Sequence, residues 1–187
     1  MKRNRSIPLI VAVVVLIAIV VAVGQGNQSN ADAFLEKYGL QGLDTKEIVY
    51  RLDSSVDESA DLQASITGEQ LTLSDSESTI NIDLPKDSFY LSFAPYLETT
   101  HPCAFHSLSS CRGELVNKAV HVTIAESNGN VLVDSDLTTM ANGFIGVWLP
   151  RDVDATVQVD YSGKTAESAI STFADSDTCL TTPLKLN

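Results

Sequence analysis

The amino-acid sequence predicts an α+β protein, with a small N-terminal helix-plus-strand part followed by an antiparallel, β-sandwich-like C-terminal domain. Two observations lead to this class. Apolar residues recur at helical spacing at Phe34, Leu35 and Tyr38, and the same spacing returns shortly afterwards. From Leu62 onward the apolar period changes to two, and turn residues interrupt it about every ten positions, which is typical of small antiparallel sandwiches.

Residues 1–24 are predicted to be a signal peptide or a signal anchor. Three basic residues precede an uncharged apolar run from Ile7 to Val23, which is the order of a secretory signal. The run approaches the ~20 apolar residues that span a bilayer, so membrane contact through an uncleaved segment is an alternative to cleavage. Residues 25–30 form a polar spacer. Both alternatives place the remainder outside the cytoplasm: periplasmic, extracellular, or membrane-anchored and facing outside.

Residues 31–97 are expected to form the N-terminal α+β part. Asp44, followed three residues later by Glu47, predicts a capping box at the start of a short helix. The alternating run after Leu62 predicts a hairpin that turns at Gly68. Further strands are expected at Thr79–Leu84 and Phe89–Phe93. The stretch DSSVDESAD is interpreted as a solvated acidic loop, because it lacks the glycine and terminal glutamate of an EF-hand.

Residues 98–187 are expected to form the C-terminal β domain. Its alternating runs are separated by three turn dipeptides, Asn128-Gly129, Asn142-Gly143 and Ser162-Gly163. An Asn-Gly pair between alternating runs is a strong signal for a tight hairpin. We therefore predict three hairpins in this domain.

The charge balance excludes one class of partner. The chain has 12 lysine and arginine residues against 24 acidic residues, a formal net charge of −12. Such a surface repels phosphate backbones, so nucleic-acid binding is not expected. The sequence also lacks a glycine-rich phosphate loop and an HExxH motif. We assign no catalytic residue and no organic cofactor.

The segment HPCAFHSLSSCRGEL holds two of the three cysteines, Cys103 and Cys111, and two of the three histidines. An odd number of cysteines in an exported protein indicates a free thiol or a ligand. One interpretation is a Cys103–Cys111 disulfide that closes a short loop while Cys179 is merely buried. The other is a shared metal site. In a straight helix Cys103 and Cys111 would lie about 12 Å apart, so a shared site requires the segment to fold back as a loop.

Within that segment His106 lies three residues after Cys103, a spacing that lets both side chains face one ion. His101 could serve instead or lie just outside the site, whereas His121 alternates with valines and is interpreted as an ordinary strand residue. Thiolates and imidazole select Cu(I), Zn(II) or an iron–sulfur cluster. Zinc sites usually pair cysteines as C-x2-4-C, a motif that this chain lacks. A loose three-sulfur group suits Cu(I), and thiols can also reduce Cu(II).

Two alternatives from other functional classes are open at this stage. The protein could be a thiol–disulfide redox protein that cycles Cys103 and Cys111, with Cys179 as the resolving thiol. It could also be a metal-free binding module stapled by a disulfide. A nucleophilic enzyme using Cys103 with His106 as base would leave Cys111 and Cys179 unexplained.

Three segments, THPCAFHSLSSCRGELVNKAVHVTI, NGFIGVWLPRD and TCLTT, resemble the CueP family of exported bacterial copper-binding proteins. The resemblance implies a copper site formed by Cys103, Cys111, Cys179 and His106. It also implies a periplasmic protein that supports copper tolerance and delivers copper to an exported partner. An N-terminal dimerising part, and hence a homodimer, is implied as well. The long apolar leader departs from this pattern and suggests a membrane tether.

Overall fold

The computed structural model describes residues 30–56 and 61–187. The predicted leader, residues 1–24, and nearly all of the predicted spacer lie outside the described residues. The chain divides into two compact units, one ending at Gly42 and one running from Leu43 to Asn187. Among the described residues, no helix has both the length and the apolar character needed to cross a membrane.

In the first unit, residues 30–37 form helix α1. The rings of Phe34 and Tyr38, one turn apart, pack with their centroids 5.0 Å apart. Gly39 lies two residues after the helix, and its φ of 66° is in the left-handed region that glycine adopts without steric cost. The next residue, Leu40, donates its N–H back to the Leu35 carbonyl at 2.7 Å, which closes the helix end.

Helix α2, Thr45–Asp53, opens the second unit and confirms the predicted capping box. The Asp44 carboxylate accepts the Glu47 N–H at 2.9 Å, and the Glu47 carboxylate accepts the Asp44 N–H at 2.8 Å. The buried face of the helix contains Ile48, Val49 and, at its C-terminal end, Asp53. The helix therefore carries a carboxylate into the interior on the same face as its apolar residues.

Sheet 1 combines three consecutive strands with one from much later in the chain. Its strands are β1 Gln63–Ile66, β2 Gln70–Ser74, β3 Thr79–Asp83 and β5 His106–Ser107, in the order β3-β2-β1-β5. The hairpin predicted to turn at Gly68 is confirmed. The short strand β5 pairs with the far edge of β1 and so fixes the position of His106.

Sheet 2 is formed by four eight-residue strands, all antiparallel: β6 Ala119–Glu126, β7 Val131–Thr138, β9 Asp154–Tyr161 and β10 Lys164–Ser171, in the order β10-β9-β6-β7. The predicted hairpins at Asn128-Gly129 and Ser162-Gly163 are confirmed. Ser162 and Gly163 have φ values of 51° and 77°, as a tight hairpin turn of the primed type requires.

Sheet 3 contains β4 Ser88–Phe93, β8 Ile145–Pro150 and β11 Cys179–Leu180, in the order β11-β4-β8. The hairpin predicted at Asn142-Gly143 is wrong, because β7 and β8 belong to different sheets. β8 pairs instead with β4 over six residues, and the Asn142 side chain is used inside the protein. β11 runs parallel to β4, which local hairpin signals could not predict.

The described residues are thus mainly β structure in three largely antiparallel sheets, with two short helices, α1 and α2. The main apolar core includes Phe89, Leu91 and Phe93 of β4. It also includes inward-facing residues of β6 and β9 in sheet 2. Sheets 1 and 3 each join strands from both sides of the predicted boundary at residue 97, so this position does not separate the sheets. Dimerisation through residues 31–97 stays a prediction.

A close backbone approach holds the end of the cysteine segment against the loop before β8. Gly113 donates its N–H to the Asn142 carbonyl at 2.7 Å. A Cβ at Gly113 would lie 2.5 Å from the Gly143 carbonyl oxygen and 3.0 Å from the Ala94 Cβ. Gly143 has a φ of 83°. The two loops therefore touch through backbone atoms that no larger residue would allow.

We expect Gly113→Ala to lower the free energy of unfolding by about 1–3 kcal/mol, the usual cost of forcing an extra methyl into a packed site. The sign of the stability change is informative. Gly113 has no left-handed φ, so without the close approach alanine would raise the free energy of unfolding by about 0.4–1 kcal/mol, because it reduces the conformational entropy of the unfolded chain. Denaturant unfolding of the two proteins measures the difference. A variant as stable as the parent would contradict the close approach.

Candidate metal centre

The structure brings together the four residues that the sequence proposed as ligands. One ligand atom from each of Cys103, His106, Cys111 and Cys179 lies within 4.8 Å of all the others. His106 and Cys179 are essentially inaccessible, Cys111 is buried, and Cys103 is partly exposed. Among the described residues this is the one group of histidine, cysteine and carboxylate side chains close enough to hold a metal ion.

Two separate pieces of the chain position these side chains, residues 103–111 and strand β11. β5 places His106 opposite Ile66 of β1. The following turn folds back, because Cys111 donates its N–H to the Ser107 carbonyl at 3.1 Å and Leu108 is fully buried. The loop that the shared-site interpretation required is therefore present. Cys179 arrives last, on β11, and its N–H donates to the Ala104 carbonyl at 3.0 Å.

The disulfide joins Cys103 to Cys179, with the Cα atoms 5.5 Å apart, while Cys111 is a free, buried thiol. The predicted Cys103–Cys111 disulfide with a spare Cys179 is wrong for this state. The redox alternative that pairs Cys103 with Cys111 is corrected in the same way. The reason is tertiary, since β11 carries Cys179 beside the Cys103 loop. Cys111 is nevertheless close, with its sulfur 3.7 Å from that of Cys103.

His106 is oriented by a buried carboxylate. Its Nε2 lies 2.7 Å from Oδ1 of Asp53, and both side chains are fully buried. Its Nδ1 faces the sulfurs and lies 3.7 Å from Sγ of Cys179. The Phe144 ring packs against the imidazole with centroids 4.7 Å apart. A carboxylate behind a histidine fixes its ring and makes the opposite nitrogen the ligand atom, as in many metal sites.

Asp53 is the centre of a buried hydrogen-bond network. The Tyr90 hydroxyl donates to its Oδ2 at 2.5 Å, and Ser92 donates to the same oxygen at 3.3 Å. The Asn142 amide donates to Oδ1 at 2.7 Å and to the Asp53 carbonyl at 2.6 Å. A buried charge is tolerated only when it is paired and hydrogen-bonded, and here each carboxylate oxygen has two hydrogen-bond partners.

Sequence reasoning missed Asp53 and Asn142. The sequence interpretation placed Asp53 in a solvated acidic loop and Asn142 in a hairpin turn, whereas both are fully buried. One signal for Asp53 was available. It lies four residues after Val49, on the apolar face of α2, where an unpaired carboxylate would be costly. Asn142 gave no comparable signal, because Asn-Gly is equally suited to a surface turn.

The hydrogen-bond network around Asp53 and the nearby sulfurs shift the pKa values of two side chains. Burial by itself would lower the pKa of His106, but hydrogen bonds to Asp53 and to Cys111 raise that pKa from 6.5 to about 9. Burial would raise the pKa of the Cys111 thiol, but hydrogen bonds with His106 and His101 lower it from 9.0 to about 7. A protonated imidazole thus stabilises a thiolate, and a metal ion would replace the shared proton.

The remaining histidines lie outside this four-residue group. The His101 ring is 6.4 Å from the Phe144 ring, and its carbonyl accepts the Thr181 hydroxyl at 2.6 Å. His121 is a strand residue of β6, as predicted, and its ring contacts the exposed Asp134 and Asp136 at 3.0 and 2.9 Å.

The donor set of the four-residue group suits a soft ion when the disulfide is reduced. Three sulfurs and one nitrogen would then face a small, mostly buried space, with a carboxylate supporting the nitrogen ligand. Thiolate and imidazole donors favour Cu(I) or Zn(II) over hard ions. In the disulfide-bonded state two of the three sulfurs are not thiolates, so only Cys111 and His106 of the four side chains keep a free donor atom.

Comparison with known proteins supplies independent information. A family model described as "Periplasmic copper-binding protein CueP" matches residues 47–185. A solved structure titled "Crystal Structure of S.CueP" aligns with a TM-score of 0.81 at 47% sequence identity, covering 84% of this chain and 97% of that chain. Comparison with curated proteins gave no significant match. The matched residues include the four clustered side chains and both Asp53 and Asn142.

We expect Asp53→Ala to lower the free energy of unfolding of the disulfide-bonded protein by about 3–5 kcal/mol, because it leaves a buried imidazolium without its partner. Asp136→Ala is the matched control, since it removes a carboxylate from an exposed histidine. That control should change stability little. Denaturant unfolding of both variants measures the effects, and equal losses would contradict the role given to Asp53.

We expect half of Cys111 to be thiolate at about pH 7 in the folded, disulfide-bonded protein and only at about pH 9 once it is unfolded. The lowered pKa means that the charged form persists to lower pH. Ultraviolet absorbance of the thiolate during a pH titration measures both midpoints. Disulfide-bonded Cys111→Ser has no free thiol and should show no such step. Coincident folded and unfolded midpoints would show that His106 and His101 do not stabilise the thiolate.

Proposed function

Because this chain belongs to the CueP family of periplasmic copper-binding proteins, we propose that its reduced cysteine cluster binds Cu(I). The ligands are the thiolates of Cys103, Cys111 and Cys179 and the Nδ1 atom of His106. The observation that carries the proposal is the convergence of these four atoms within 4.8 Å of one another. Asp53 holds the imidazole with Nδ1 toward the sulfurs.

The softness of the donors favours Cu(I) within the copper chemistry of the family. Sulfur ligands stabilise the monovalent, polarisable ion, which accepts fewer than four ligands and tolerates an irregular arrangement. Binding requires deprotonated thiols and a neutral imidazole nitrogen, so it releases protons. His106, Cys111 and Cys179 are buried and Cys103 is partly exposed, so Cys103 is the ligand that solvent reaches most easily.

The same cysteines supply electrons for Cu(II). Two thiols give up one electron each to two Cu(II) ions, forming one disulfide and two Cu(I) ions and releasing two protons. Cys103 and Cys179 are the pair best placed for this step, since they are the pair bonded in the structure. The reaction ends copper binding at the oxidised pair, so a thiol reductant outside the cytoplasm must restore the site.

Further roles follow from the family resemblance. We propose that the protein contributes to copper tolerance and passes copper to an exported acceptor protein. A homodimer through residues 31–97 belongs to the same set of proposals. Membrane contact through residues 1–24 is proposed instead from the long apolar run, in which the leader departs from the family pattern. A metal-free, disulfide-stapled binding module is distinguished from all of these by the copper content of the reduced protein.

A second candidate function is thiol–disulfide exchange with a partner. The observation that favours it is the partly exposed Cys103 within the Cys103–Cys179 disulfide, an arrangement open to attack by an external thiol. Catalytic turnover of a thiol substrate without copper would support this function, whereas stoichiometric Cu(I) uptake without turnover supports the first.

We expect Cys179→Ser to weaken Cu(I) binding by the reduced protein at least about a hundredfold, since one lost thiolate bond is worth several kcal/mol and ~1.4 kcal/mol is a factor of ten. Competition with a chromophoric Cu(I) chelator measures the affinity. His121→Gln, which removes a histidine on another sheet, should bind like the parent.

The oxidised parent protein is the second control, because it retains only Cys111 and His106 as ligands. It should bind Cu(I) more weakly than the reduced protein. Parent-like affinity in folded Cys179→Ser, or equal affinity of the oxidised and reduced parent, would show that the ligand assignment is wrong.

A further inference from the structure

Cys103 stands between two possible disulfide partners. It is bonded to Cys179, and the free Cys111 sulfur lies 3.7 Å from its own sulfur. That separation is close to van der Waals contact between two non-bonded sulfur atoms, so bond formation requires them to approach each other by about 1.7 Å. Thiol–disulfide exchange proceeds by attack of a thiolate on one sulfur of a disulfide, with the other sulfur leaving.

We propose that the disulfide migrates within the folded protein between Cys103–Cys179 and Cys103–Cys111. The Cys111 thiolate attacks the Cys103 sulfur and forms the new S–S bond. The bond to Cys179 breaks, and its electron pair leaves with Cys179 as a thiolate. One disulfide and one thiolate are present before and after, so no external oxidant or reductant takes part.

The local structure assigns Cys103 the shared position. Cys111 and Cys179 are each fixed by a backbone hydrogen bond, to Ser107 at 3.1 Å and to Ala104 at 3.0 Å, and both are buried. Cys103 lies outside the strands, in the irregular segment before β5, and is partly exposed. Exchange therefore requires movement of the Cys103 sulfur, which is the least constrained of the three by packing.

The leaving sulfur also has a polar partner in place. Sγ of Cys179 lies 3.7 Å from Nδ1 of His106, whose other nitrogen is held by Asp53. When the bond to Cys103 breaks, the Cys179 thiolate lies beside an imidazole that is already oriented toward it. Cys111 is therefore stabilised as a thiolate when Cys179 is in the disulfide, and Cys179 is stabilised as a thiolate when Cys111 is in the disulfide.

The consequence goes beyond copper binding and does not depend on it. Whichever of the two partners Cys103 is first oxidised with, exchange redistributes the bond, so the product is set by equilibrium between the two isomers. Cys103 is in the disulfide in both isomers. The most exposed of the three sulfurs is therefore always the one open to an incoming thiol, while His106 keeps one free cysteine beside it in either state.

The test uses the oxidised, metal-free parent protein incubated at mildly alkaline pH. Acid stops exchange, acid-active pepsin cleaves between Cys103 and Cys111, and mass spectrometry identifies the linked peptides. We expect both Cys103–Cys179 and Cys103–Cys111 peptides, the latter at about one tenth or more, which corresponds to no more than about 1.4 kcal/mol between the isomers. Alkylation after the acid quench and unfolding should then mark both Cys179 and Cys111.

Two variants sharpen the result. Disulfide-bonded Cys111→Ser has no attacking thiol and should contain only the Cys103–Cys179 link. Folded Cys179→Ser should form the Cys103–Cys111 disulfide on mild oxidation. In the parent, a redistribution rate independent of protein concentration shows that exchange is intramolecular. Parent protein with only the Cys103–Cys179 link, and alkylation confined to Cys111, overturns the proposal whatever the variants do. Cu(I) titration of reduced protein tests copper binding separately.

Discussion

The buried contact between Asp53 and His106 is the interaction on which the rest of the centre depends. A carboxylate and an imidazole removed from water are tolerated only if each finds a partner and the remaining lone pairs find donors. Those donors come from β4 through Tyr90 and Ser92 and from the loop before β8 through Asn142. One carboxylate therefore ties together helix α2, two strands and a loop, and turns the imidazole Nδ1 toward the sulfurs.

The second constraint is the parallel pairing of β11 with β4. Cys179 pairs with Ser92, the same residue whose hydroxyl reaches Asp53. The strand that carries the third sulfur is thus in register with the strand that supports the carboxylate. The sulfur and nitrogen donors of the centre have a common scaffold, although they lie up to 76 residues apart in the sequence.

The chemistry of this centre has two mutually exclusive states. Reduced, three thiolates and one imidazole nitrogen offer a soft, largely buried donor set that suits Cu(I). Oxidised, the Cys103–Cys179 bond removes two donors and leaves a thiolate stabilised by a protonated imidazole. Under the ligand assignment proposed above, copper and the disulfide would compete for the same sulfurs, and the redox state outside the cytoplasm would control how much metal the protein holds.

The sequence by itself determined the local elements and the chemical type of the centre. The capping box at Asp44, the hairpin at Gly68 and the two turns of sheet 2 each depend on residues a few positions apart, and the donor set follows from residue types. Tertiary structure alone decided the partner of Cys103, the burial of Asp53 and Asn142, and the pairing of β8 with β4. These depend on contacts between distant segments, where the gain from burial and hydrogen bonding outweighs any local preference. Asn142-Gly143 suits a hairpin turn locally, but its asparagine is needed to satisfy a buried carboxylate.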